Sequence, residues 1–266
     1  MKSIGTFPFG QPVRAVTQKD RSPKGVFVLG VYASAVHARW IDTSEKTVVR
    51  ALAVASEPDI FWRGENADSI IQQIDIPKEL GKLIPAKPVF NGPSGMALDH
   101  LILDPLGLDR QKVWLCDLVP HSCLNSSQRK AIQRAYLPTA SKYGLAAPTV
   151  PPVPTMLTDE NRRKAIMNEI IEAEASVLIL LGDKPIQWFL SHYDHHWSKL
   201  SDFGRDSQTY GQLHNAQIDG REIKVLPLAH PRQIAKLGHS SPVWYDVHQK
   251  WLKQSASKVA QCLEVG

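Results

Sequence analysis

The chain alternates short, continuously apolar runs with longer stretches of helical periodicity. Five runs read as strands: 26–30 (VFVLG), 47–55, 113–117 (VWLCD), 177–181 (VLILL) and 223–228. An apolar run of this length without polar alternation is the pattern of a strand covered on both faces, as in parallel sheets. Between the runs, 66–83 has helical spacing at Ile70, Ile71, Ile74 and Leu80, interrupted by Pro77. Helices are also predicted over 94–106, 126–136 with Ser126 as cap, 158–174 with Ile166, Ile170 and Ile171 on one face, 184–192 and 242–258. Strands alternating with helices predict an α/β fold, a single open parallel sheet of about four to five strands with helices on both faces. Residues 1–24 read as a polar arm and 25–266 as one domain. The 149–154 connector (TVPPVP) is too short to divide it, and 193–221 reads as a polar, irregular insertion.

Two of the apolar runs stop at a polar residue. In VWLCDLVPH (113–121) it is Asp117, and in VLPLAHPRQIAKLG (225–238) it is His230. Ligands of open α/β sheets sit at the C-terminal ends of the strands, so this acid and this imidazole are placed to grip a small planar group. After His230 come Arg232, Gln233, Ile234, Lys236 and Leu237, a basic loop with apolar tips. That combination suits a loop that enters a duplex and holds an extruded base.

On these residues the chain resembles the uracil-DNA glycosylase superfamily, from about Val26 to Trp251. VFVLGVYAS (26–34) stands for the first motif, FNGPSGMALDHLI (90–102) for the Phe-x-Gly-x-x-Gly segment that opens a helix, and ASVLILLGDKPIQWFL (175–190) for the strand, Gly and helix before the last motif. The layout is that of the family 4 type. The resemblance implies a uracil-DNA glycosylase-like fold and hydrolysis of the N-glycosidic bond of a flipped base. His230 would stabilise charge on the leaving base, Phe90 would stack on it (or simply end a buried segment), and Gly30, Val31, Tyr32 and Ser34 would line its pocket. Arg232, Gln233, Ile234, Lys236 and Leu237 would meet DNA.

Three departures bear on activity. Members usually place an acidic or amide residue just after the strand Gly, whereas Gly30 is followed by Val31, Tyr32, Ala33 and Ser34. Asn91, His37 or Asp42 would then have to position water, or catalysis is impaired. Members carry Asn where Asp117 stands. An ionised Asp has acceptors only, which suits the N4 amine of cytosine and not O4 of uracil. Ser34 replaces a bulky Tyr of some members and leaves room at C5. The Asp117 and Ser34 departures imply a cytosine-type base, with space for a C5 substituent, and extend to bacterial members that excise modified cytosines from phage DNA. The alternatives are a uracil-DNA glycosylase of base-excision repair and a non-catalytic nucleic-acid-binding module.

Composition changes little. A net charge of +5 allows phosphate binding without demanding it. Cys116, Cys123 and Cys262 are too few for the four-cysteine iron–sulfur cluster of some members, so no cofactor is expected. His192, His195 and His196 have the spacing of a solvated loop rather than a metal site, and 162–164 (Arg, Arg, Lys) reads as an exposed helix face. No apolar run reaches membrane-spanning length and the N-terminus has no apolar leader core, so a cytoplasmic monomer is expected.

Overall fold

The structure is a computed structural model that describes residues 4–206, 208–237 and 241–264. Gly238, the last residue of the basic loop, lies outside them, as do residues 1–3. The chain folds as two compact units that share the sequence in alternation. The first takes Met1–Val16, Tyr32–Pro93 and Pro120–Thr155, the second Thr17–Val31, Ser94–Val119 and Met156–Gly266. In chain order the strands are β1 (Val26–Tyr32), β2 (Ala35–Ile41), β3 (Thr47–Ser56), β4 (Lys82–Pro85), β5 (Val113–Val119), β6 (Val177–Leu181), β7 (His214–Ile218) and β8 (Arg221–Leu228).

The second unit is built on a five-stranded, mostly parallel sheet in the order β5-β1-β6-β8-β7. β1 and β6 run parallel, with Val26 opposite Val177 and Leu29 opposite Leu180, and β6 runs parallel to β8. Every residue of β5 and β6 is buried, as their unbroken apolar runs require. The Glu160–Glu172 helix buries Ile166, Met167 and Ile170, and the Pro242–Gln254 helix buries Val247, His248 and Trp251. The chain leaves β1 for β5 on one side, returns across to β6, and continues to β8 on the other. The order of connection therefore reverses at β1 and β6, where open sheets bind their ligands. The expected irregular insertion holds a strand: β7 pairs antiparallel with β8. Asp219 (φ 51°) and Gly220 (φ 75°) make the tight turn between them, an Asp-Gly hairpin signal that the polar run around it obscures.

The first unit has its own three-stranded antiparallel sheet, β3-β2-β4. The 47–55 run, expected as a strand of the parallel sheet, is β3 of this second sheet. Alternate residues of β2 (Val36, Ala38, Trp40) join Leu52 and Val54 of β3, Ile71 and Leu80, and Ile132, Tyr136 and Ala140 in one core. The predicted 66–83 helix is reduced to Ala67–Gln72, followed by a 3₁₀ turn at Lys78–Leu80 and then β4. Pro77 blocks continuation, having no N–H to give the helix ladder. Residues of the N-terminal segment contribute core side chains: Phe7 and Val13 pack with Ala35, Ala53 and Val150. Phe9 meets the rings of Trp40 and Tyr136 edge-on. Burying one such aromatic is worth roughly 1.5–3 kcal/mol. The helix after β5 is capped by Asn125 rather than Ser126: Asn125 Oδ1 accepts from the Gln128 N–H at 3.0 Å, and the Gln128 side chain accepts the Asn125 N–H at 3.1 Å.

Candidate active site

Four strand ends line one edge of the parallel sheet. In order across it stand Asp117 of β5, Gly30 and Val31 of β1, Gly182 just after β6, and His230 just after β8. Neighbouring strands are about 4.8 Å apart, so the strands bearing Asp117 and His230 are separated by three spacings, roughly 14 Å.

His230 closes β8 and caps the short Pro231–Ile234 helix. Its Nδ1 accepts the Arg232 backbone N–H at 3.1 Å. The ring proton of the neutral imidazole is thereby assigned to Nε2. Burial, and then the charge of Arg232, push its pKa down to about 4, so the ring is neutral at physiological pH. Gly182 is part of this geometry. It has φ 84°, and a Cβ there would come within 3.3 Å of the His230 Cβ. Behind His230 runs a buried chain of hydrogen bonds that sequence reasoning missed. The Ala229 N–H donates to Tyr210 Oη at 2.9 Å, Tyr210 Oη meets His248 Nδ1 at 2.8 Å, and His248 Nε2 donates to the Leu101 carbonyl at 2.8 Å. Tyr210 and His248 lie far from the motif in sequence and carry no motif signal.

Asp117 is 3% exposed. Burial pushes its pKa up to about 7, against the lowering effects of Arg162 and of the Val31 N–H. The expectation of a fully ionised, acceptor-only Asp117 is therefore corrected. Near neutral pH a substantial fraction carries an O–H, because desolvation penalises the charged form. Arg162, expected on an exposed face, is turned inward. Its Nη2 donates to the Asp117 carbonyl at 2.6 Å and to Cys116 Sγ at 3.1 Å, its Nε donates to the Leu118 carbonyl at 3.0 Å, and Nη1 meets Glu169 at 3.4 Å. The guanidinium ties the Glu160–Glu172 helix to the end of β5. Its i,i+7 spacing to Glu169 on that helix was the one available clue.

The loop after His230 divides. Arg232 and Lys236 are exposed, while Gln233 and Leu237 are partly so. Ile234, expected as an apolar tip, is 0% exposed and belongs to the core. The Pro231–Ile234 turn winds it inward. Lys236 Nζ lies 3.7 Å from the Tyr245 ring centroid, and Arg232 Nε donates to the Leu237 carbonyl at 3.1 Å.

The remaining candidates belong to the first unit. Phe90 is 40% exposed, so it is a surface ring rather than the end of a buried segment. Asn91 is buried and its amide is tied to the backbone of His37: Oδ1 accepts the His37 N–H at 2.8 Å and Nδ2 donates to the His37 carbonyl at 2.9 Å. The structure thus gives Asn91 a structural role beside β2 in addition to the water-orienting one expected of it. His37 is buried as well. Its Nε2 accepts from Gln128 at 2.9 Å, and burial pushes its pKa down to about 4. It serves as an interior hydrogen-bonding group of this unit rather than as a water-activating base. Asp42 caps its own turn, accepting the N–H groups of Ser44 and Lys46 at 2.9 Å. Tyr32 ends β1. Ser34 is exposed; its N–H donates to the buried carboxylate of Glu57 at 2.9 Å and its carbonyl accepts from Ser122 Oγ. The sequence reading passed over Glu57, because a lone acid between Ser56 and Pro58 looks like an ordinary turn residue.

Among the described residues no group of three or more His, Cys, Asp or Glu is placed to hold a metal, and no helix is long and apolar enough to cross a membrane. A mostly parallel sheet with a buried acid and a neutral imidazole near the C-terminal ends of its strands defines a class, that of open-sheet α/β proteins. The chain matches the model of the uracil DNA glycosylase superfamily over residues 86–253 and belongs to that superfamily. Its function is accordingly of the DNA glycosylase type, with DNA as substrate. None of the curated proteins matches the chain.

Proposed function

We propose that this protein hydrolyses the N-glycosidic bond of a cytosine-type base flipped out of DNA, with tolerance for a substituent at C5, and that it acts against modified foreign DNA such as that of phages. The observation that carries the reading is the pairing of Asp117 and His230 across the strand ends, with Gly30, Val31 and Gly182 between them. Bond cleavage moves the C1′–N electron pair onto the base and leaves a sugar with oxocarbenium character. Water then adds to C1′, and the proton it loses ends on the departing base anion, which leaves as the neutral base. His230 Nε2–H donates to the base oxygen as negative charge builds there. Its Nδ1, held by the Arg232 N–H, fixes which nitrogen is the donor. Asp117 accepts from the exocyclic amine of cytosine, and in its protonated form also donates to the ring N3. Room at C5 rests on the sequence motif alone, in which Ser34 stands where some members carry tyrosine. Arg232, Gln233, Lys236 and Leu237 are proposed to meet the DNA.

A second reading is favoured by the raised pKa of Asp117. A protonated carboxyl offers O–H to O4 and accepts from N3–H of uracil, so a uracil glycosylase of base-excision repair fits the same pocket. The absence of an acidic residue after Gly30 favours a third, a binding module without catalysis. Excision assays on oligonucleotides carrying uracil, cytosine and 5-substituted cytosine separate the three. Preferred release of the cytosine-type bases is expected. Preference for uracil sinks the first reading, and release of no base leaves the binding module.

A further inference from the structure

The net charge of the molecule is not spread over it. The first unit holds 13 Lys and Arg against 8 Asp and Glu; the second holds 18 against 18. The whole excess of +5 belongs to the first unit, and one helical stretch concentrates it. Residues 126–143 run through Ser126–Ala131, the wide turn Ile132–Tyr136 and Leu137–Tyr143 without a break, from the Asn125 cap to Gly144 at φ 66°. One face is fixed in the core through Ile132, Tyr136 and Ala140. The other presents Arg129, Lys130, Arg134 and Lys142 to solvent, with Ser126, Ser127, Gln133 and Ser141 among them. No acidic residue occurs anywhere from 120 to 155.

An exposed helix is ordinarily laced with acid–base pairs three or four residues apart. Here Lys130 and Arg134 stand as a like-charged i,i+4 pair, which costs a few tenths of a kcal/mol rather than contributing. None of the four cations forms an ion pair within the described residues. Lys142 has only the Tyr143 ring, at 5.2 Å. Side chains of this kind, set on a rigid helix with short hydroxyl and amide donors beside them, match a run of phosphates, which Arg, Lys, Ser and Gln contact without reading sequence. With a rise of about 1.5 Å per residue, Arg129 to Lys142 spans roughly 20 Å, enough to face several phosphates.

We propose that the exposed face of helix 126–143 is a second DNA-binding surface that holds the phosphate backbone, independent of the loop after His230. The proposal rests on the DNA glycosylase reading and extends it, since it assigns to Arg129, Lys130, Arg134 and Lys142 the sequence-independent share of substrate affinity.

The test compares the parent with the Arg129→Gln, Lys130→Gln, Arg134→Gln, Lys142→Gln variant, using fluorescence anisotropy of a labelled duplex oligonucleotide with no target base, across a salt series. Each lost phosphate contact removes about 0.9 from the slope of log K against log salt. The variant is therefore expected to lower the slope by about 3 to 4 and to weaken binding equally for unrelated duplexes. An unchanged slope overturns the proposal. If the fourfold variant does not fold, as judged by circular dichroism, Arg134→Gln alone is expected to lower the slope by about 1, and the same rule applies. Vesicles of phosphatidylserine that bind the parent more tightly than DNA at the same salt, and lose it in the variant, also overturn it by making the partner a lipid surface. Excision by the parent is scored separately. A parent that releases no base sinks the glycosylase reading alone, whereas an excising parent whose slope does not respond to the variant sinks the helix alone.

Discussion

His230 and Asp117 carry pKa shifts in opposite directions from one cause, burial, and each shift makes a prediction. The imidazole is held neutral down to about pH 4, so its donor role needs no protonation event near 6.5. The pH profile of kcat/KM is expected to show no inflection near 6.5 that His230→Ala removes. The same variant is expected to lose about a hundredfold or more in excision, the roughly 3 kcal/mol typical of one stabilising donor, with DNA binding nearly intact. Activity equal to the parent would show that His230 only caps its helix. Asp117, raised to about 7, changes its hydrogen-bonding character within the working range. Below pH 7 it offers O–H and C=O; above pH 7 it offers acceptors alone. On single-stranded substrates, where duplex stability does not enter, the ratio of uracil to cytosine excision is expected to fall as pH rises through 7. Asp117→Asn is expected to abolish that dependence and shift the ratio toward uracil by about 1–3 kcal/mol, the worth of one base contact. A ratio that is flat in the parent removes Asp117 from base recognition.

At the scale of elements, the short helix after His230 separates packing from DNA contact. Ile234 is core, so Ile234→Ala is expected to cost about 2–5 kcal/mol in denaturant unfolding. A residue acting as a wedge would leave stability unchanged and weaken only base flipping. Tyr210 anchors the last residue of β8 before His230 through the Ala229 N–H. Tyr210→Phe removes that acceptor and leaves a buried donor unpaired, at about 1–3 kcal/mol. It is expected to lower kcat while KM stays near the parent value, since the change misplaces His230 rather than the DNA contacts. A fall in stability with kcat intact would make Tyr210 purely structural. What the sequence made legible follows from local physics. β6 was read to the residue because five consecutive apolar side chains have no other use than a strand covered on both faces. The polar residue that interrupts each apolar run marked Asp117 and His230, although β5 runs two residues past Asp117 to Val119 and β8 stops two residues before His230. The partner of β3 was not, since periodicity names a strand but not its neighbour, and parallel and antiparallel strands share it. Arg162 and Ile234 were misjudged for a related reason: charge and apolarity predict exposure only on average, and each is overridden by what folds against it, the backbone oxygens of β5 in one case and the turn of its own helix in the other. The partners of Asn91 and His37 were not legible, because an amide beside a glycine and a strand histidine carry no mark of what bonds to them.

Across the whole molecule, buried titratable groups set how stability answers to pH, and they do not all pull together. His37 and His248 are buried and neutral, with pKa values pushed from 6.5 down to about 4. A folded pKa below the unfolded one means stability that is complete above pH 6.5 and is lost as pH falls through 4, because the unfolded chain takes up the proton first. Asp117 works the other way. Its folded pKa of about 7 lies above 3.8, so its contribution is complete below pH 3.8 and is lost as pH rises through 7. Between 6.5 and 4, acidification therefore costs stability at the two histidines and restores some at the aspartate. Each of these groups is linked to folding by on the order of a few kcal/mol, and because His230 is shifted the same way as the two histidines, the balance is a net loss. The midpoint of thermal unfolding is expected to fall from pH 7 to pH 4.5, well before general acid denaturation. His248→Gln supplies an uncharged donor and acceptor for Leu101 and Tyr210, and is expected to flatten part of that fall while lowering the midpoint at pH 7. A midpoint that holds steady or rises over this interval in the parent would mean that the two histidines reach solvent and titrate near 6.5, and the packing that surrounds them in both units would then have to be redrawn.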